Sequence, residues 1–63
     1  MKNFYCLIKF SDENDVDVNL KVSFYCREKE LHTQVMVYVE RLRESNPFFK
    51  NQYYNGFEVI GCE

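Results

Sequence analysis

A chain of 63 residues has room for one small domain, and folding of so short a chain buries only about 60% of the surface that the unfolded chain exposes. Ten acidic residues against eight basic ones give a net charge of −2, which is too close to balance for electrostatic capture of nucleic acid or anionic lipid. Size therefore argues against a deep catalytic pocket, and charge argues against a nucleic-acid or membrane partner.

The first two elements are predicted to be strands of a β-hairpin. Apolar and polar residues alternate without interruption over residues 16–26, and residues 3–10 show the same period of two. This pattern is typical of strands with one face on a core and the other toward water. Residues 11–15 are polar and acidic, which favours a turn between the strands.

Opposed residues of a hairpin must lie on the same side of the sheet, and this constraint predicts a register. With Phe10 opposite Val16, Ile8 falls opposite Val18. The same register places Lys9 opposite Asp17, an outer-face pair of opposite charge worth roughly 0.2–1 kcal/mol.

Residues 27–45 change period and predict a helix. One helical face is formed by apolar residues at the required spacing: Leu31, Val35, Tyr38, Val39 and Leu42. Asn46 precedes Pro47 and is therefore pushed out of the helical region, which ends the element. A strand over Val35 to Val39 is the competing interpretation, because Val-Met-Val-Tyr-Val also alternates and has high β propensity.

The last third is aromatic and less regular. Residues 57–62 are predicted to form the final strand. Asn55-Gly56 is a strong two-residue hairpin signal, so the sequence leaves open a fourth strand from residues 48–54.

Together these elements predict a single small α+β domain over residues 1–63: a two-layer β-β-α-β fold with an antiparallel sheet in the order 2-1-3. The crossover from the second strand through the helix to the final strand is right-handed, and the one helix packs on one face of the sheet. The predicted covered face carries the even-numbered apolar residues Phe4, Ile8, Val18, Leu20 and Val22.

Three cysteines, Cys6, Cys26 and Cys62, form an odd set without Cys-x-x-Cys spacing. Secreted domains of this length usually carry an even number of cysteines. The N-terminal segment also lacks the apolar stretch of a signal peptide. We therefore expect a cytoplasmic protein with free thiols.

No group of residues predicts catalysis, a cofactor or a metal. His32 lacks a nucleophile or co-ligands at a diagnostic spacing, and Cys26 fits a buried structural thiol better than a nucleophile. The Asp15-x-Asp17-x-Asn19 series fails as a calcium loop, because Leu20 stands where glycine is required. We expect no enzyme activity.

The predicted function is a small protein-interaction or regulatory module that acts through an aromatic-rich surface, either as a homodimer or by docking on an unidentified protein partner. The expected contact residues combine the outer sheet face with the aromatic segment: Tyr5, Leu7, Tyr25, Phe48, Phe49, Tyr53 and Tyr54. The richness in Asn, Lys, Tyr and Phe is typical of a protein encoded by a low-GC bacterium, its phage or another mobile element. The alternative is a nucleic-acid-associated protein that uses Arg41, Arg43 and Lys50 beside the aromatics.

Overall fold

The computed structural model describes all of residues 1–63 and shows a two-layer α+β fold. Its elements are strands β1 (Lys2–Ser11) and β2 (Asp17–Cys26), a 3-10 turn (Glu28–Glu30), helices α1 (Leu31–Ser45) and α2 (Pro47–Lys50), and strand β3 (Tyr53–Cys62). The sheet has the order β2-β1-β3, and β1 runs antiparallel to both neighbours. The predicted fold class and strand order are confirmed.

The core lies between the even-numbered side of the hairpin and α1. It contains Phe4, Cys6, Ile8, Phe10 and Cys26 from the sheet, Leu31, Val35 and Val39 from α1, and Phe49 from α2. Val18, Leu20, Val22 and Phe24 of β2 pack against this cluster. The helix therefore covers the sheet face that the alternation predicts, and Val35 to Val39 are helical rather than extended.

The predicted hairpin register is wrong by two residues. Phe10 pairs with Val18 rather than Val16, and Lys9 pairs with Asn19 rather than Asp17. The cause lies in the turn, which starts at Asp12: the Asp12 Oδ1 accepts the backbone N–H groups of Asn14 at 2.8 Å and Val16 at 3.0 Å. Val16 is thereby held in the loop, where 55% of its surface stays exposed.

Residues 48–54 do not form a fourth strand. Pro47 starts α2, and the Asn46 side chain caps it by accepting the N–H of Phe48 at 3.0 Å. Asn55-Gly56 is not a hairpin turn but lies inside β3, where the pairing with β1 shifts register between Ile8 and Phe10. Gly56 has a φ of 103°, a conformation that side chains other than glycine rarely adopt, so the glycine provides the irregularity within the strand.

Neither helix combines the length and apolar character that crossing a bilayer requires.

Candidate interaction surface

The odd-numbered side of the sheet carries no other layer, because α1 and α2 contribute to the core on the even-numbered side. We call it the outer sheet face. Its central residues are Tyr5, Leu7 and Lys9 of β1, Lys21, Ser23 and Tyr25 of β2, and Glu58, Ile60 and Gly61 of β3. A single protomer therefore leaves this whole side of the sheet open to contact.

Large apolar and aromatic side chains stand out from this face. Tyr25 is 65% exposed and Ile60 is 50% exposed, while Tyr5 and Leu7 are half-buried between their neighbours. A shallow depression of ≈ 420 Å³ lies beside Tyr5, between Lys21 and Ile60. The face therefore combines projecting rings and aliphatic groups with a concavity, as protein-contact surfaces do.

The middle of the face carries a row of three side chains in register across the strands. Leu7 pairs with Lys21 on β2 and with Glu58 on β3. The Glu58 carboxylate also lies 3.3 Å from the Lys9 Nζ, replacing the Lys9–Asp17 pair that the sequence predicts. Both partners of this pair are largely exposed, so it contributes at most about 1 kcal/mol to stability.

The ring of Tyr5 lies over Gly61, with Cδ2 3.6 Å from the point that a Cβ on Gly61 would occupy. The missing side chain lets the ring lie beside β3, as aromatic residues do next to strand glycines. Desolvation, and secondly the nearby Glu63 carboxylate, raises the pKa of the Tyr5 hydroxyl. The Tyr5 hydroxyl is a hydrogen-bond donor on this face, as tyrosine is at its ordinary pKa of about 10, and the raised pKa extends this to higher pH.

The structure separates the seven residues of the predicted contact surface. Tyr5, Leu7 and Tyr25 share the outer sheet face, and exposed Tyr53, opposite Ser11, continues it at one end. Phe49 is buried with its ring 5.0 Å from that of Phe10, and Tyr54 packs on Phe10 from the same side at 6.1 Å. Phe48 is exposed, but on α2 in the other layer.

Ile60, Lys21 and Glu58 also belong to the face but were not among the predicted contact residues. The alternation of β2 places Lys21 on the outer face, which the sequence shows. Alternation along β3 places Ile60 on the same side as Glu58, and a second register shift between β1 and β3, near Tyr5 and Cys6, brings Gly61 opposite Tyr5 on that side as well.

The structure places the candidate chemical residues in two different environments, one at the surface and one in the core. Exposed His32 has its ring 6.2 Å from that of Phe57, at the boundary of the apolar helix face. Cys6 and Cys26 are free thiols buried in the core, and burial, with Cys26 as a second cause, raises the pKa of the Cys6 thiol. A raised thiol pKa lowers the fraction of thiolate, which is the nucleophilic form.

The basic residues do not form one basic surface. Arg43 donates from Nη2 to the backbone oxygen of Gln52 at 2.6 Å, which ties its guanidinium to the loop before β3. Arg43 and Lys50 line an open cleft of ≈ 650 Å³ whose opposite side carries Asp12 and Glu13. These carboxylates oppose phosphate binding in the cleft.

No three His, Cys, Asp or Glu side chains come together in a way that could hold a metal ion. Comparison of the chain with protein-family models, with characterised proteins and with solved structures finds no significant match.

Proposed function

We propose that this protein is a small protein-interaction or regulatory module whose docking surface is the outer sheet face. The supporting observation is that one side of the sheet is covered by α1, while the other, which carries Leu7, presents Tyr25 and Ile60 at least half exposed. Tyrosine is enriched in contact surfaces because its ring buries a large area while its hydroxyl tolerates water.

The chemistry of this face favours a protein over a nucleic acid. Lys9 is already paired with Glu58, which leaves Lys21 as the only other basic side chain in its centre. Phosphate binding depends on several unpaired cations, whereas apolar groups separated by single opposite charges suit another folded protein surface. Arg41, Arg43 and Lys50 lie in the helical layer, away from Tyr25 and Leu7.

Site-specific photocrosslinking in the source cells tests this proposal. A photoreactive phenylalanine analogue at Tyr25 should capture a discrete protein species, and adding Leu7→Glu should abolish the capture. The same analogue at Val37, 39% exposed on the helical layer, is the matched control and should capture nothing discrete. Equal capture at both positions, or capture at Tyr25 that survives Leu7→Glu, refutes docking through the outer sheet face.

A further inference from the structure

The outer sheet face has the area that self-association needs. The molecule measures 37 × 21 × 14 Å, so its broad side spans about 800 Å² in projection, which is comparable to the surface that each partner contributes to a standard stable interface. The narrow side of the molecule, which contains a sheet edge together with the helical layer, spans only about 500 Å² in projection, which falls in the range of weak contacts. Area therefore favours face-to-face packing over strand addition at β2 or β3.

Charge on the face is arranged so that it complements itself. Lys21 and Glu58 lie at the same height on the two outer strands, with Leu7 between them on β1. Rotating a second copy by 180° about a line along β1 places its β3 over β2 of the first copy. Each Lys21 then faces Glu58 of the other copy, and the two Leu7 side chains meet at the axis.

The other twofold arrangement of two packed sheets is electrostatically unfavourable. An axis across the strands at Leu7 brings Lys21 onto Lys21 and Glu58 onto Glu58, and like charges facing each other repel. Packed sheets are rotated by about 30° because each is twisted, so facing residues stay aligned best near the axis. The row of Leu7, Lys21 and Glu58 lies at that point.

From these observations we infer that the partner docked on the outer sheet face is a second copy of this chain, related by a twofold axis along β1 that passes near Leu7. This inference rests on the proposed function, since it names the occupant of the same face. The small net charge of −2 leaves little long-range repulsion between copies. Lys9 lies close to the axis and faces Lys9 of the other copy there, so each Glu58, 3.3 Å from the Lys9 of its own chain, is the counter-ion both for that Lys9 and for Lys21 of the other copy.

Sedimentation equilibrium of two charge-reversal variants, apart and mixed, tests the geometry. Lys21→Glu alone sets acid against Glu58, and Glu58→Lys alone sets base against Lys21. Each should raise the dimer Kd at least about tenfold at low ionic strength. In an equimolar mixture the reversed position 21 of one variant faces the reversed position 58 of the other, so a heterodimer should form with near-original affinity.

Lys29→Glu is the matched control, because it makes the same charge change in the 3-10 turn and should leave the dimer Kd unchanged. Circular dichroism of each variant verifies folding, and recovery in the mixture itself requires that both variants are folded.

A chain that stays monomeric up to about 1 mM overturns the inference. So does a dimer that neither reversal weakens, or a mixture that fails to recover. Capture of a different protein at Tyr25 by a monomeric chain overturns self-pairing while leaving the proposed function standing.

Discussion

Tyr54 and Cys6 lie on the core side of the sheet, where burial disfavours the charged forms of their side chains. Desolvation raises the pKa of both groups above their ordinary values of 10.0 and 9.0. In the unfolded chain the same groups lose their protons at lower pH. Their contribution to stability is therefore complete below about pH 9 and is lost as the pH rises through the folded-state pKa values.

We expect the free energy of unfolding, measured by urea denaturation, to decrease as the pH is raised above about 9. Tyr54→Phe removes one of the ionising groups and should make the decrease above pH 10 less steep. Tyr25→Phe serves as the control that removes a tyrosine hydroxyl outside the core. An identical slope in the original chain and in Tyr54→Phe would show that Tyr54 is not linked to folding.

Single residues also show where sequence reasoning ends. Phe48 and Phe49 are neighbours of the same type, and one is exposed while the other lies in the core. What separates them is α2, which turns the second ring toward Phe10. A helix of one turn has no periodic pattern that the sequence could reveal, so nothing local distinguishes these two phenylalanines.

At the scale of elements, alternation predicts faces but not register. A shift of the hairpin pairing by two residues keeps every even-numbered side chain on the same side, so the predicted and observed registers are equally consistent with the apolar pattern. The turn decides between them, through Asp12 and through Asp15, whose φ of 59° reverses the chain. Asparagine and aspartate tolerate this left-handed conformation better than most residues.

Asp12→Ala should destabilise the protein by roughly 1–2 kcal/mol, because Asp12 Oδ1 accepts two backbone N–H groups in the loop. Chemical denaturation measures the change, and Glu13→Ala is the neighbouring acidic control that should cost little. If both variants lose the same stability, the carboxylate of Asp12 does not fix the turn.

The last strand was longer than its pattern indicates. The sequence predicts a strand over residues 57–62, and β3 begins four residues earlier at Tyr53. Asn55-Gly56 suggests a turn because Gly56 permits positive φ, and in the structure that freedom serves an irregularity within the strand instead. Asn55-Gly56 has the same local chemistry in a hairpin turn and in an irregular strand, and only the pairing of β3 with β1 distinguishes the two.

For the whole molecule, the sequence predicts which side of the sheet stays uncovered, but it predicts only some of the residues that form that side. One helix can cover one face, and the alternation in β1 and β2 shows which face remains. The contribution of β3 requires its pairing with β1, which brings Glu58 beside Leu7 and Lys9. The self-complementary row of charges is thus a property of the assembled sheet and not of any one segment.

The measurement that most directly tests the outer sheet face as a contact surface is a concentration series of methyl NMR spectra of the unmodified chain. Dilution changes the population of any assembly, and methyl shifts report which side chains sense it. We predict concentration-dependent shifts for the methyl groups of Leu7 and Ile60, with those of Val37 on α1 unchanged. Shifts confined to Val37, or none at any concentration, would contradict docking between copies through this face.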